Sequence, residues 1–132
     1  YINDDTSSPE GYTDPWKPEY NSDPTTSITV KWDEGASNEE KLERIITQKW
    51  IAIFPLGNEA WAEYRRTGYP KLMPAKDNKS GGTVNSKYGM RRLPYPSEEY
   101  SENRTNVEAA ITSLGGPDNG GTRTWWDCKP LN

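Results

Sequence analysis

Residues 37–68, SNEEKLERIITQKWIAIFPLGNEAWAEYRRTG, decide the fold. Ser37 is followed three residues later by Glu40, which is the spacing of a capping box at the start of a helix. Apolar side chains then recur on one helical stripe and charged residues surround it. The stripe consists of Leu42, Ile45, Ile46, Trp50, Ile53 and Phe54. This pattern predicts an amphipathic helix over 38–54.

A second helix is predicted directly after the first. Asn58 can cap a helix over 59–67, and Gly68 is typical of a residue that ends one. Because the intervening link of Pro55-Leu56-Gly57 is so short, the two helices are predicted to form an αα-hairpin.

The two tryptophans of this hairpin are interpreted as core residues. Trp50 and Trp61 both lie on apolar helical stripes, where burial between helices is the commoner role. Neither is therefore a candidate ligand contact.

The remaining chain is irregular apart from one further helix. The lead-in is rich in proline, with a short alternating segment at 28–32 that favours a strand or extended backbone, and residues 69–96 show no period. A capping box from Thr105 to Glu108 and apolar residues at helical spacing predict a third helix that ends at Gly115.

Composition excludes several functional classes. The chain has no His and a single Cys, Cys128, so it cannot form an intrachain disulfide, a zinc cluster or a His-dependent nucleophilic triad. A net charge of −4 argues against nucleic acid as a partner. Hydrophobic residues make up 31% of the chain, and no apolar run approaches the length of a membrane span.

Several blocks of the sequence resemble, in the same order, the C-terminal region of the SusD/RagB family of nutrient-binding outer-membrane lipoproteins. The most specific blocks are ITQKWIAIF at 46–54, YRRTGYPKL at 64–72, RRLPYP at 91–96 and WWD at 125–127. The resemblance divides the chain into an irregular Pro-rich lead-in over 1–36 and a SusD/RagB-like C-terminal region over 37–132.

The resemblance implies a mainly α fold. A helical hairpin, a further helix and long irregular loops would form the C-terminal part of a larger tetratricopeptide-like helical protein. Such proteins are held on the outer membrane of Bacteroidetes-type bacteria by a lipid anchor, which is expected upstream of this chain. They bind glycans or other nutrients without catalysis, cofactor or metal, and they deliver them to a SusC-type TonB-dependent porin.

Four aromatic residues are the candidate carbohydrate-binding residues. Trp16, Tyr12 and Tyr20 lie in a polar, Pro-rich loop where no periodicity assigns them to a core, and loops carry binding residues disproportionately. Trp125 is a further candidate in the C-terminal tail. The alternative interpretation is that the loop aromatics pin their loop and that Trp125 anchors the tail.

Two arginine pairs, Arg65-Arg66 and Arg91-Arg92, are interpreted as structural partners of carboxylates such as Asp127 or Glu99. Recognition of an anionic ligand is the alternative. For the whole protein, two alternatives to glycan binding stay open: a fragment of a carbohydrate-active enzyme, and a purely structural or porin-contacting segment.

Overall fold

The structure is a computed structural model that describes residues 6–127; Cys128 and the end of the predicted region 37–132 lie outside the described residues. The chain divides into two compact units, a first unit up to Lys76 and a second unit from Asp77. Four α-helices and one short 3-10 helix form the regular structure of residues 6–127, which contain no strand. The predicted mainly α fold is confirmed.

Helices α1 (Asn38–Ala52) and α2 (Gly57–Thr67) form the predicted hairpin of the first unit. The two helices pack on each other, and Lys49 Nζ bridges them by contacting Glu63 Oε1 at 2.7 Å. Gly68 ends α2 in the left-handed conformation with φ 76°, as the sequence predicts.

The ends of these helices confirm one predicted cap and correct another. Ser37 and Glu40 make both halves of the capping box, with Ser37 Oγ accepting from the Glu40 amide at 3.2 Å. Helix α1 ends at Ala52, two residues before the predicted end. The predicted cap at Asn58 is wrong: the Ala60 amide donates to the Leu56 carbonyl at 3.1 Å, so Leu56 is the N-cap and α2 begins before Asn58.

A small apolar core holds the first unit together. Ile46 of α1, Tyr64 of α2 and Tyr69 after α2 are buried. Trp61 is half-buried with the Arg65 guanidinium 3.7 Å from its ring centroid. The predicted burial of Trp50 is wrong, because its side chain is 37% exposed.

The exposure of Trp50 follows from the width of the apolar stripe on α1. The eleven-residue α2 covers only part of that stripe, and Trp50 instead lines a groove of about 660 Å³ within the first unit. The other apolar walls of the groove include Ile28, Ile51, Leu72 and Met73. The alternating segment at 28–32 contributes to this groove and forms no strand; the Val30 amide donates to Ser7.

Helices α3 (Ser97–Glu102) and α4 (Arg104–Leu114) pack together in the second unit. The short, polar α3 lacks apolar periodicity, so the sequence pattern did not predict it. Asn103 joins the two helices and is the N-cap of α4, but its side chain makes no capping bond and instead donates to Glu99 Oε2 at 3.0 Å and accepts from Asn106 Nδ2 at 2.6 Å. The predicted capping box from Thr105 to Glu108 is therefore wrong, and Glu108 instead accepts from Arg104 Nε at 2.7 Å.

Two buried arginine-carboxylate pairs organise the loops of the second unit. Arg91 donates to Asp127 through two bonds, Nε to Oδ2 at 2.7 Å and Nη2 to Oδ1 at 2.5 Å. Arg92 pairs with Asp118. Both arginines are buried, so the predicted structural role of this pair of residues is confirmed.

Asp118 also accepts hydrogen bonds from the Tyr95 amide at 3.0 Å and from the Tyr100 hydroxyl at 2.6 Å. Burial alone would raise the pKa of Asp118, but the bonds from Tyr100 and Arg92 outweigh it and hold the pKa below its ordinary value of 3.8. A carboxyl whose pKa is lowered by folding stabilises the fold above its unfolded pKa, and that contribution is lost as the pH falls through the folded pKa.

We expect Tyr100→Phe to raise the pKa of Asp118 toward its ordinary value, because one bond to the charged form is removed. Carboxyl ¹³C NMR titration measures this pKa directly. The acid-induced loss of stability that Asp118 causes in the second unit should then be smaller in the variant and should be complete at a higher pH. An unchanged Asp118 pKa would show that Tyr100 does not stabilise the carboxylate.

Candidate binding site

Residues 12–22 form a closed loop in the first unit, here called the Trp16 loop. Its ends are joined by two antiparallel backbone bonds, Tyr12 N to Ser22 O at 2.8 Å and Ser22 N to Tyr12 O at 2.9 Å. Gly11 lies beside this neck, and a Cβ there would be 2.8 Å from Ser22 O. Only glycine fits this close backbone approach.

Asp14 holds the inside of the Trp16 loop. Its Oδ1 accepts from the amides of Trp16 at 2.9 Å and Lys17 at 2.7 Å, and its Oδ2 accepts from the Tyr12 hydroxyl at 3.1 Å. The Asp14 amide donates to Asn21 Oδ1 at 2.8 Å across the loop. The bonds from the Trp16 and Lys17 amides hold the pKa of Asp14 below its ordinary value.

This bonding leaves the Trp16 side chain turned to solvent. Trp16 is 86% exposed although its own amide is fixed by Asp14. Tyr20, in the 3-10 helix Pro18–Tyr20, is half-buried and carries Lys17 Nζ 4.9 Å from its ring centroid. Tyr12 is 48% exposed, and its hydroxyl is used by Asp14. The loop thus gathers three of the four predicted site residues and displays one indole.

Trp125, the fourth predicted site residue, belongs to the second unit. It is 92% exposed, and it lies two residues before Asp127, which Arg91 fixes. The backbone turn from Thr124 to Asp127 is closed by a hydrogen bond of 3.0 Å. The Arg91-Asp127 pair therefore anchors the tail while the Trp125 indole is exposed, which does not fit the alternative in which Trp125 itself anchors the tail.

Asp14, Asn21 and Gly11 shape the site but were not predicted from the sequence. Asp14-Pro15 is a dipeptide that favours turn initiation, so a signal for the turn was present. The bond to Asn21 and the neck at Gly11 join positions far apart in a segment without periodicity, and no local pattern indicates them.

Among the described residues, no group of three or more His, Cys, Asp or Glu side chains is arranged to hold a metal ion. No helix within residues 6–127 has the length and apolar character needed to cross a membrane.

Comparison with known proteins connects nearly the whole chain to one family. The model of the SusD-like family, described as Susd and RagB outer membrane lipoprotein, matches residues 1–127, including the Pro-rich lead-in. Comparison with curated proteins yields no match.

Solved structures of the same family are similar over nearly the whole chain. A chitin-binding SusD homolog from Flavobacterium johnsoniae is 53% identical with a TM-score of 0.90, over 98% of this chain and 27% of that one. A SusD homolog from Bacteroides uniformis is 58% identical with a TM-score of 0.86, over 97% and 27%. One from Bacteroides vulgatus is 42% identical with a TM-score of 0.88, over 96% and 26%.

These similarities confirm the resemblance that the sequence blocks indicate. The chain spans about a quarter of the length of the solved structures that it matches. The description of the matching family as outer membrane lipoproteins also confirms the expected location at the outer membrane. The chain belongs to the SusD-like family of SusD and RagB outer membrane lipoproteins.

Proposed function

We propose that this chain takes part in non-catalytic glycan binding at the outer membrane and that Trp16 is a platform on which a sugar ring stacks. The observation that carries the proposal is the 86% exposure of the Trp16 indole. The loop that holds it is closed by the bonds between Tyr12 and Ser22 and fixed inside by the bond from the Trp16 amide to Asp14. A sugar ring has an apolar C–H face, and an exposed aromatic face is its chemical complement.

The known ligand of a relative supports a glycan as the ligand of this chain. The Flavobacterium johnsoniae homolog is described as chitin-binding, and it is 53% identical over 98% of this chain. Chitin is accordingly the first probe for the site. Tyr12 and Tyr20 remain candidate secondary contacts in the Trp16 loop, and Trp125 remains a separate candidate contact in the second unit.

We propose further that the bound glycan is passed to a SusC-type TonB-dependent porin. The support for this step is membership of the SusD-like family of outer membrane lipoproteins. A binding protein in such a system needs to hold its ligand intact, which fits an aromatic platform better than a pair of opposed catalytic carboxylates.

We expect Trp16→Ala to weaken chitin binding at least about tenfold, since an exposed tryptophan anchor is a typical hot spot. Native affinity electrophoresis of the 132-residue chain in a gel containing a soluble chitin derivative measures the retention. Phe54→Ala is the matched control, because Phe54 is also 86% exposed but lies outside the Trp16 loop.

Circular dichroism first establishes that the wild type and both variants are helical. Retention that is lost in Trp16→Ala and kept in Phe54→Ala supports the proposal. Equal retention of both variants would overturn Trp16 as the platform. A helical wild-type chain that no glycan of a panel retains would overturn glycan binding by this chain and favour the structural alternative, and release of reducing ends would favour the enzyme.

A further inference from the structure

Asp14 uses most of the acceptor capacity of its carboxylate inside the Trp16 loop. Its two carboxylate oxygens accept three hydrogen bonds, from the amides of Trp16 and Lys17 and from the Tyr12 hydroxyl. These bonds tie the residue that carries the exposed indole to the base of the loop. Charge-assisted bonds of this kind are stronger than bonds between neutral groups.

A second set of contacts fixes Asp14 itself. The Asp14 amide donates to Asn21 Oδ1 at 2.8 Å, so the two sides of the loop are joined above the neck between Tyr12 and Ser22. Asp14 is therefore held by its own backbone while its side chain holds the Trp16 and Lys17 amides. These bonds fix the backbone of Trp16, while its side chain remains 86% exposed.

We infer that Asp14 is a positioning residue for the binding platform. It fixes the backbone of Trp16 before the ligand binds, so that binding does not have to order the loop. This inference rests on the proposed function of Trp16. Ordering a loop or side chain on binding costs affinity, and a loop already held in its bound conformation avoids that cost. The same principle governs supporting residues around other binding sites.

The inference also indicates how the loop recognises its ligand. The acceptors of Asp14 serve the loop, and Lys17 Nζ lies over the Tyr20 ring and 3.4 Å from its hydroxyl. Among the aromatic side chains of the loop, the indole of Trp16 is thus the one most accessible to a ligand. We expect the loop to recognise the flat C–H face of a sugar and to discriminate weakly between hydroxyl patterns.

The test compares Asp14→Ala with the conservative Asp14→Asn. We expect Asp14→Ala to weaken chitin affinity on the order of tenfold, because the Trp16 and Lys17 amides lose their acceptor and the loop is no longer held. An asparagine side-chain oxygen still accepts from both amides, so Asp14→Asn should bind within about twofold of wild type. Asp33→Ala is the matched control, since Asp33 accepts from the Gly35 amide at 2.8 Å in a similar turn outside the Trp16 loop.

A ligand-free readout separates positioning from a general loss of structure. With 5-fluorotryptophan incorporated, the ¹⁹F NMR signal of Trp16 is assigned by its absence in Trp16→Phe. Asp14→Ala should move that signal toward its position in the unfolded chain and leave the other tryptophan signals and the thermal unfolding midpoint unchanged. Asp14→Asn should leave all signals in place.

A second variant disturbs the same loop from its neck. Gly11→Ala places a Cβ 2.8 Å from Ser22 O, and we expect it to move the Trp16 signal and weaken binding as Asp14→Ala does. The two hypotheses fail differently. If wild type binds chitin through Trp16 but Asp14→Ala binds equally well, the positioning role is overturned and the platform stands. If wild type binds no glycan, the proposed function itself has failed.

Discussion

Replacing Asp127 with Asn is expected to destabilise the second unit by about 3–5 kcal/mol. The change removes the negative charge that faces the Arg91 guanidinium, in a residue 4% exposed, and that also lies 3.1 Å from Arg123 Nη2. The two bonds between these side chains, at 2.7 and 2.5 Å, are the contacts that are weakened. A loss of this size is a large part of the total stability of a typical domain, about 5–15 kcal/mol.

Urea unfolding followed through the backbone NMR signals of residues 77–127 measures this effect. Glu108→Gln is the matched control: it removes one charge of a pair with Arg104 whose side chains are 76% and 57% exposed. An exposed pair at this spacing contributes about 0.3–0.5 kcal/mol. Equal losses in the two variants would mean that the Arg91-Asp127 pair is not buried as described.

Ile46→Ala is expected to cost about 2–5 kcal/mol in the first unit, because Ile46 is 4% exposed and its removal leaves a cavity between α1 and its surroundings. The first unit has few other buried apolar side chains among the described residues, Tyr64 and Tyr69. Ile46 is therefore a large part of the apolar core of this unit.

The neighbouring isoleucine supplies the control for this experiment. Ile45 is 52% exposed, so Ile45→Ala should change the free energy of unfolding by about 0.5 kcal/mol or less. Ile46→Val, expected to cost about 0.5–1.5 kcal/mol, keeps the comparison measurable if Ile46→Ala does not fold. Urea unfolding monitored by circular dichroism gives the three values. A larger loss at Ile45 than at Ile46 would contradict the described orientation of α1.

The fold of the hairpin could be predicted because its signals are local. The capping box of Ser37 and Glu40 and the stop at Gly68 each depend on residues within one helical turn, and the structure contains both. Burial of Trp50 could not be predicted, because a stripe shows which face is apolar but not how much of it a partner covers. The sequence pattern does not predict helix α3, because five of its six residues are Ser or Glu and a single Tyr forms no apolar period.

The sequence predicts the partners of the buried arginines better than it predicts the geometry of the candidate site. Residue types predict that the arginine pairs contact carboxylates such as Asp127 or Glu99, but only the structure shows that Arg91 pairs with Asp127, 36 positions further along the chain. The exposure of Trp16 was indicated by its polar, Pro-rich surroundings. The hydrogen bond from the Trp16 amide to Asp14 and the close approach of Gly11 to Ser22 depend on backbone distances that only the folded loop defines.

The most direct test of the central claim is a structure of this chain with a soluble chitin oligosaccharide. The account predicts a sugar ring lying flat against the indole of Trp16, with the carboxylate of Asp14 still bonded to the Trp16 and Lys17 amides. An oligosaccharide bound elsewhere on the chain, with no contact to Trp16, would contradict it.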